Sequence, residues 1–385
     1  AENRRIRAIT YSFPPGSTFK PVTAAAGLEC GAVSTDDSFF CGGSTRVGPD
    51  TLYCHNTGGH GSQTFSEVIE NSCNIGFIQI AQRIGIESFY KYLDLFGITS
   101  PTGIDLPGEE SGIIVPEEYA KPIDLAVMSY GQTLQATPIQ IAASLAAIAN
   151  GGNMIVPHLV KEVTDSYGNI IESKPNGPVK QVLSTKTTED LRLALEKVIS
   201  DGTGKAAYVP GYRLAGKTGT SKIAEGKYIA SFAGFAPANN PRLVLLVMID
   251  EPKGSYYGGV VAAPVFSSVM RDVLRYLEIP PQEEPEQIGG QETVQVPDLV
   301  GKDIVAAQTE LRVTSQFPVA DARLPQDTSV ILYTEDDEVP DEGMVRVPPL
   351  IGLGITQARL KTMEVGLSLG AQGNGFCVSQ DPAPG

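Results

Sequence analysis

Two side chains near the start of the chain have the types and spacing of a nucleophile and its base. Ser17 and Lys20 stand three positions apart, directly after the breaker cluster Pro14-Pro15-Gly16. A helix that starts at or just before Ser17 would place the Lys20 amine on the same face as the Ser17 hydroxyl. Pro21 would then lie in the first turn, where a missing N–H loses no hydrogen bond. The spacing therefore predicts a serine nucleophile beside a lysine base.

The amine of Lys20 can accept a proton only when it is uncharged. Its pKa must fall from about 10.4 to about 7, which costs about 4 kcal/mol and requires burial or neighbouring cations. The start of a helix would also stabilise negative charge that develops at Ser17. Because Ser-x-x-Lys occurs by chance roughly once or twice in a chain of this length, the motif needs support from other segments.

Two further segments supply that support. Ser72-Cys73-Asn74 opens a helix-like stretch from Ile75 to Arg83, and Lys217-Thr218-Gly219-Thr220 begins a strand-like stretch. Ser-x-Asn alone is weak evidence, since it is also a common helix-capping pattern. The three motifs in this order, however, match the signature of penicillin-binding proteins and class A β-lactamases.

On these motifs, the first 280 residues resemble the transpeptidase domain of a class B penicillin-binding protein. The resemblance implies an α+β fold, with an antiparallel sheet flanked by helices. Together with the cysteine placement, the Ser-Cys-Asn form most resembles the sporulation-specific members. Further matching segments are Thr102 to Glu109, Tyr130-Gly131-Gln132, Thr137-Pro138 and Ala149 to Gly152.

The resemblance also implies catalytic roles for the first two motifs. Ser17 attacks the penultimate D-Ala carbonyl of a peptidoglycan stem peptide, and Lys20 accepts its proton. Ser72 relays a proton toward the leaving D-Ala amine, and Asn74 hydrogen-bonds the substrate amide and Lys20. The amine of a second stem peptide then resolves the acyl-enzyme, and the chemistry requires no cofactor.

The same resemblance gives the third motif a role in binding. Lys217 sets a positive potential, and Thr218, Gly219 and Thr220 form the substrate-binding strand, with the two hydroxyls on the terminal carboxylate. The backbone N–H groups of Ser17 and Thr220 would form the oxyanion hole, because a strand at the edge of a sheet leaves donors unpaired.

Two other functions fit the same motifs. β-Lactams would acylate Ser17, and a class A β-lactamase would release them with water activated by a glutamate. Glu109 and Glu110 lie in a stretch rich in Gly and Pro, and we interpret them as solvated loop charges. A receptor or scaffold that binds β-lactams or wall fragments without transferring them is the non-enzymatic alternative.

Composition excludes other classes. The 385 residues are 42% hydrophobic and carry a net charge of −15, of which residues 281–385 contribute −11. Such acidity excludes a nucleic-acid binder, and the longest apolar run, Leu243 to Ile249, is too short to span a bilayer. The 14 Tyr and 13 Phe are interpreted mostly as core residues.

The resemblance also implies a cellular setting. We expect that a native N-terminal membrane anchor precedes this sequence and that the protein lies on the extracytoplasmic face of the cell or forespore membrane. We also expect that it works with a wall-synthesis glycosyltransferase.

Apolar patterning predicts the elements that must position the motifs. Pro138 to Asn150 reads as a buried central helix that ends at a Gly pair. Two apolar runs separated by a Pro- and Asn-rich turn predict a pair of antiparallel strands, at Tyr228 to Ala236 and Leu243 to Asp250. Ala263 to Leu277 reads as a closing helix.

The acidic tail contains two similar units 51 residues apart. Val-Gln-Val-Pro-Asp-Leu-Val-Gly at 294–301 matches Val-Arg-Val-Pro-Pro-Leu-Ile-Gly at 345–352, which resembles PASTA modules. We expect a transpeptidase domain over 1–280, a linker over 281–292, a shortened module over 293–340 and an incomplete one over 341–385. Each module is predicted to contain a helix, at 302–312 and 354–364, followed by strand-like sequence such as 329–334.

Four of the five cysteines fall in the first 73 residues, with two of the three histidines. One hypothesis is a structural zinc site made by Cys41, Cys54, His60 and Cys73, since thiolates and imidazole suit four-coordinate zinc. The alternatives are a disulfide, Cys54–Cys73 or Cys41–Cys54, as expected in an oxidising compartment, and free thiols. In an extended Ser-Cys-Asn segment, Cys73 would face away from Ser72, so a metal there would support the catalytic loop from behind.

Overall fold

The computed structural model describes residues 5–173, 180–281, 293–295, 298–300, 302–306, 309–317, 323–325, 331–334 and 362. The chain divides into two units, Ala1–Val294 with Arg323–Gln326, and Gln295–Ala322 with Asp327–Gly385. The α-helices are α1 Arg7–Thr10, α2 Lys20–Glu29, α3 Phe65–Glu70, α4 Asn74–Ile84, α5 Ile86–Leu95, α6 Pro122–Met128, α7 Pro138–Ala149, α8 Thr185–Ser200, α9 Gly258–Val261 and α10 Ala263–Tyr276. Short 3-10 helices span Gly16–Phe19, Glu117–Tyr119 and Lys205–Ala207.

The strands fall into small antiparallel groups. They are β1 Ser38–Cys41, β2 Ser44–Val47, β3 Asp50–Tyr53, β4 Gly61–Thr64, β5 Asn153–Met154, β6 Glu162–Thr164, β7 Ile170–Ser173, β8 Lys180–Gln181, β9 Ala215–Ala224, β10 Lys227–Ala236, β11 Leu243–Asp250, β12 Thr293–Gln295, β13 Asp303–Ala306, β14 Thr309–Phe317, β15 Arg323–Pro325 and β16 Ile331–Thr334. Within the first unit β1 pairs with β4, β2 with β3, β5 with β8 and β6 with β7.

The segment of the first motif is helical from Gly16 onward. The 3-10 turn Gly16–Phe19 runs directly into α2, and Pro21 lies in the first turn of that helix, as predicted. All residues from Lys20 to Gly27 are buried. At Gly27 the backbone of α2 comes so close to α4 that a Cβ would lie 2.9 Å from a methyl of Ile80. The first motif is thereby held in the interior of the helical layer.

The central helix α7 confirms the predicted span from Pro138. Thr137 caps its start in a capping box with Gln140, whose backbone N–H donates to the Thr137 hydroxyl. Such caps contribute about 1 kcal/mol. The buried Gln140 amide also donates to the carbonyls of Gly97, Ile98 and Ser100, so the helix fixes the loop that leads into the segment 102–109.

The main sheet of the first unit has the order β11–β10–β9, antiparallel throughout. The predicted strands at 228–236 and 243–250 are therefore confirmed. β10 is central and almost entirely buried, and α10, the predicted closing helix, packs Phe266 on Phe232 with ring centroids 4.6 Å apart. β9, which carries the third motif, is an edge strand and borders the first motif.

In the second unit the structure describes β13, β14 and β16, which form one antiparallel sheet in the order β13–β14–β16. The helix predicted over 302–312 is wrong, because β13 and the start of β14 occupy those residues. The segment is rich in β-branched residues, including Ile304, Val305 and Thr309, which favour strands. The predicted strand at 329–334 corresponds to β16. Apart from residue 362 in the predicted helix at 354–364 and residue 281 in the predicted linker, both segments lie outside the described residues.

No helix in the described ranges is both long enough and apolar enough to cross a membrane.

Candidate active site

The predicted nucleophile lies in a turn that is fixed by a glycine contact. Ser17 is half-buried in the 3-10 turn that precedes the fully buried Lys20. The N–H of Gly16 donates to the Gly131 carbonyl at 2.8 Å. Gly131 has φ +81°, and a Cβ there would overlap the backbone of Gly16. The Tyr-Gly-Gln segment therefore fixes the position of the nucleophile turn.

The Lys20 amine joins the first motif to the second. Its Nζ donates to the Ser72 carbonyl at 2.6 Å and to Asn74 Oδ1 at 2.8 Å, and lies 3.1 Å from Ser72 Oγ. Burial lowers the pKa of Lys20 to about 7, against the opposing effect of Cys73 and Cys54. The shift agrees with the value that a lysine base requires near neutral pH.

The partners of Lys20 suit an uncharged amine. A neutral amine has two N–H donors and one lone pair. The Ser72 carbonyl and Asn74 Oδ1 can only accept, so they take the two donors. The lone pair is then left for a hydroxyl, and Ser17 Oγ makes no hydrogen bond to any residue that the structure describes. In the described residues the hydroxyl that meets Lys20 is that of Ser72, and no hydrogen bond there joins Lys20 to Ser17, so the predicted nucleophile–base pair stays a prediction.

The third motif lies on β9 with its lysine directed into the same region. Lys217 is fully buried, and its Nζ donates to Thr218 Oγ1 at 3.3 Å. Burial lowers the pKa of Lys217 well below its usual value, and a protonated Lys20 would lower it further. The third motif is brought to the first by the close contacts of the β9 backbone.

The backbone of β9 packs closely on the nucleophile turn. A Cβ on Gly219 would overlap Ser231 Oγ and lie 2.8 Å from the Thr18 methyl, and a Cβ on Gly16 would lie 3.1 Å from the Thr220 carbonyl. Among the strands that the structure describes, β9 pairs with β10 alone, so N–H groups on its other edge are available to a ligand. This edge lies where the oxyanion hole is predicted.

Three tyrosines beside the third motif were not identified from the sequence. Tyr228 stacks on Tyr256 with ring centroids 4.1 Å apart, and Tyr256 contacts Tyr257 at 4.5 Å. Tyr257 is exposed and precedes Gly258, whose N–H donates to Thr220 Oγ1 at 3.1 Å. The interpretation of tyrosines as core residues is therefore wrong for this group. The Tyr-Tyr-Gly-Gly sequence is the signal that could have revealed it.

The predicted metal ligands lie together. The donor atoms of Cys41, Cys54, His60 and Cys73 are all within 4.8 Å of one another. Cys54 Sγ is 3.9 Å from Cys73 Sγ and 3.7 Å from His60 Nδ1. The four cysteines described, including the exposed Cys30, are free, so neither predicted disulfide is formed.

Cys73 connects this cluster to the second motif. Its Sγ accepts a hydrogen bond from Gly76 N–H at 3.4 Å and so caps α4. Its hydrogen bond to Cys54 lowers the pKa of the Cys54 thiol, and the same bond with burial raises the pKa of Cys73. Ser72 has φ +53°, so the segment is not extended as predicted. The Ser72 hydroxyl nevertheless meets Lys20 while the Cys73 thiol meets the cluster.

The acidic residues of the segment 102–109 have structural partners. The Glu109 carboxylate accepts hydrogen bonds from Thr102 N–H and Oγ1 and from Gly103 N–H at 2.6–3.0 Å. Asp105 accepts from the N–H groups of Leu159 and Val160, both at 2.8 Å. Glu109 thus closes its own loop, and these contacts give it no link to Ser17.

Comparisons with known proteins agree with these motifs. A family described as the penicillin-binding protein transpeptidase domain matches residues 1–271. Stage V sporulation protein D of Bacillus subtilis is 40% identical over 354 residues, covering 85% of this chain and 55% of that protein. Penicillin-binding protein PbpB of Mycobacterium tuberculosis is 33% identical, and the match covers 72% of this chain and 43% of that protein. The chain thus spans about half the length of these relatives.

Solved structures give the same result for the fold. The transpeptidase domain of Burkholderia pseudomallei penicillin-binding protein 3 matches with a TM-score of 0.64 and 33% identity, covering 73% of this chain and 85% of that one. Penicillin-binding protein 3 of Mycobacterium tuberculosis in complex with aztreonam matches with a TM-score of 0.67 and 32% identity. This match covers 74% of this chain and 67% of that one.

Proposed function

The chain belongs to the penicillin-binding protein transpeptidase family, class B, and on that premise we propose that it is a serine D,D-transpeptidase that cross-links peptidoglycan stem peptides through an acyl-enzyme on Ser17. The observation that carries the proposal is the contact of the Lys20 amine with Ser72 and Asn74. Buried, with its pKa at about 7, this amine supplies the base that a serine nucleophile needs.

In the first half-reaction Ser17 Oγ attacks the carbonyl carbon of the penultimate D-Ala while its proton passes to the lone pair of Lys20. The tetrahedral oxyanion is stabilised by the N–H groups of Ser17 and Thr220. As the C–N bond breaks, the leaving D-Ala nitrogen takes a proton from the Ser72 hydroxyl, which is replenished by Lys20 at 3.1 Å. Asn74 holds Lys20 in place. Free D-Ala leaves, and the stem peptide remains as an ester on Ser17.

In the second half-reaction an amine of another stem peptide attacks the ester, and its proton returns through the same groups to Ser17 Oγ. Before D-Ala leaves, its carboxylate would bind Thr218 and Thr220 on β9, and a negative charge there would favour the protonated form of nearby Lys217. A β-lactam has the same carboxylate and a strained amide, and would acylate Ser17 likewise. One related protein is solved in complexes with aztreonam and with ampicillin.

The proposal is tested by the mass of the protein after incubation with penicillin. We expect a persistent adduct of one β-lactam that is absent in Ser17→Ala. Rapid release of hydrolysed antibiotic would instead make the protein a β-lactamase, a function that the engagement of Glu109 within its own loop disfavours. Transfer of a D-amino acid onto a thioester donor is also expected, and its absence despite acylation would favour the receptor.

We also propose a cellular setting for the protein. We propose a sporulation role because Stage V sporulation protein D of Bacillus subtilis is 40% identical. We also propose that a membrane anchor outside this sequence holds the domain on the extracytoplasmic face, where a glycosyltransferase supplies glycan strands. Fractionation of cells that carry the full-length protein, followed by protease treatment of intact cells, would test the location; a cytosolic pool that resists protease would contradict it.

For the tail we propose two PASTA modules, 293–340 and 341–385, on the basis of the repeated Val-x-Val-Pro segments. The β-strands found where a helix was predicted, at 302–312, count against a regular first module. The modules could bind peptidoglycan or have a structural role, and we propose the structural role because their sequences contain few aromatic side chains that could stack on sugar rings. Deletion of 293–385 should leave wall-fragment binding unchanged; loss of that binding would contradict the structural role.

We further propose that Cys41, Cys54, His60 and Cys73 hold a structural zinc ion. Zinc–sulfur bonds of about 2.3 Å and zinc–nitrogen bonds of about 2.0–2.1 Å in a tetrahedron require S–S and S–N separations of about 3.8 and 3.6 Å. The 3.9 Å between Cys54 and Cys73 and the 3.7 Å between Cys54 and His60 fit this geometry. The ion would provide no chemistry at Ser17; it would fix Cys73 and with it Ser72 and Asn74.

Metal analysis of protein purified without chelator tests the zinc proposal. We expect about one zinc per chain, reduced in Cys41→Ser and unchanged in the matched control Cys30→Ser, since Cys30 is exposed and outside the cluster. Zinc-free protein in which all five thiols of the chain titrate after denaturation would contradict it. The melting temperature should fall on chelation in the wild type and in Cys30→Ser alike.

A further inference from the structure

The turn after α8 brings an additional hydroxyl to the third motif. Thr203 is exposed, and its Oγ1 lies 3.1 Å from Thr218 Oγ1. The turn is held to its own helix, because Gly204 N–H donates to the Val198 carbonyl at 2.8 Å. Thr203 belongs to none of the three motifs, yet it is in direct contact with the strand that carries the third.

Glycines on both sides fix the position of this turn. A Cβ on Gly202 would lie 2.8 Å from the Glu70 carbonyl, and a Cβ on Gly204 would lie 3.1 Å from the Phe232 ring. On the opposite side, a Cβ on Gly259 would lie 2.7 Å from the Thr203 carbonyl. Because backbone surrounds the turn at such short range, Thr203 cannot move away from Thr218 without displacing its neighbours.

Hydrogen-bond direction decides what this contact does. Thr220 Oγ1 accepts from Gly258 N–H at 3.1 Å, so its own proton is available to a ligand. Thr218 Oγ1 accepts from Lys217 Nζ at 3.3 Å. If Thr203 also donates to Thr218 Oγ1, both lone pairs of that oxygen are engaged and its proton must point elsewhere. The two threonine hydroxyls of β9 then both present protons, as binding of an anion requires.

We propose that Thr203 is a positioning residue of the carboxylate subsite: its hydroxyl donates to Thr218 Oγ1 and so directs the Thr218 proton toward the carboxylate of the bound peptide or β-lactam. The inference rests on the proposed function, since it presumes a ligand that ends in a carboxylate at β9. It predicts selectivity for the anion, whereas a residue that only maintained the fold would affect all ligands equally.

The test compares acylation by a penicillin acid and by its methyl ester in the full chain. In Thr203→Val, which keeps the shape and loses the hydroxyl, the second-order acylation constant for the acid should fall about tenfold, the order expected for one hydrogen bond to a charged group. The constant for the ester should change less than about twofold. Thr203→Ser should restore the acid-to-ester ratio, and Thr164→Val, an exposed strand threonine, serves as the control.

Each outcome is decisive. A fall that is equal for acid and ester, or an unchanged acid-to-ester ratio in Thr203→Val, overturns the inference and leaves the proposed function standing. A wild-type chain that neither ligand acylates removes the proposed function and the inference with it. If Thr203→Val loses its cooperative melting transition, the acid-to-ester ratio of acylation constants is compared in Thr203→Ser and Thr203→Ala instead. A lower ratio in Thr203→Ala supports the inference, and equal ratios overturn it.

Discussion

The buried amine of Lys20 makes the acylation rate depend on pH in a way that an exposed lysine would not. Burial lowers the Lys20 pKa from 10.5 to about 7, so the uncharged base is the minor form below pH 7 and the major form above it. Acylation should therefore be lost as the pH falls through 7 and should reach a plateau above 8. The perturbation is simply the pH of the assay, with the protein unchanged.

The size of the effect follows from the pKa. About one tenth of the amine is uncharged at pH 6, half at pH 7 and about nine tenths at pH 8, so the rate should rise roughly tenfold between pH 6 and 8. A lysine that kept its usual pKa would be below 1% uncharged at pH 8. Its rate would continue to rise about tenfold per pH unit up to pH 10, so the two cases differ in the shape of the curve.

Stopped-flow or quench measurement of acylation by a fluorescent penicillin gives the rate at each pH. Lys186→Ala is the matched control, because that lysine lies on the surface in an ion pair with Asp190, and its profile should coincide with the wild type. A rate that is flat from pH 6 to 9, or one that still rises above pH 9, would refute the assignment of Lys20 as a base activated by burial.

Three further outcomes are expected. Between pH 7 and 9.5 the unfolded chain binds the proton that buried Lys20 has lost, so urea unfolding should show a gain of about 3 kcal/mol in wild-type stability over that range; an equal gain in Lys20→Met would contradict the burial effect. Gly219→Ala should reduce penicillin acylation, because its Cβ would lie 2.8 Å from the Thr18 methyl beside the nucleophile; unaltered acylation would show that β9 can move. Gly76→Ala, whose Cβ would lie 2.6 Å from Val68, should cost about 1–3 kcal/mol by urea unfolding; adding Val68→Ala should recover part of this cost, and strict additivity would exclude the contact.

Local signals were sufficient for several helices and strands of the first unit. Pro138, the pair Gly151-Gly152 and the apolar run between them define α7 within one residue. The strands β10 and β11 were identified because a turn-rich segment separates two apolar runs. Each of these features depends on neighbours in the sequence, where periodicity and breakers are informative.

The contacts between motifs depended on a family signature instead. Nothing local to Lys20 indicates that its amine meets a carbonyl 52 residues later, at Ser72. The left-handed backbone of Ser72 was missed because serine has no strong signal for that conformation. The stack of Tyr228, Tyr256 and Tyr257 could not be predicted from local sequence, because strand pairing and a later loop bring the rings together.

The tail shows where pattern reading failed. The helix predicted over 302–312 rests on the pattern of the repeated unit, although Ile304, Val305 and Thr309 favour strands. The helix pattern and the local β-propensity conflict there, and the structure follows the propensity. The cysteine cluster is the opposite case: unusual composition alone selected four residues that the fold brings within 4.8 Å.

The close contact between Gly16 and β9 restricts which substitutions the centre of the candidate site can accept. A Cβ at Gly16 or Gly219 would force neighbouring side chains to shift, because serine hydroxyls and the Thr18 methyl lie within 3 Å of it. Under the proposed function, tolerated sequence variation around the ligand would therefore collect at exposed positions such as Tyr257 and avoid the two glycines.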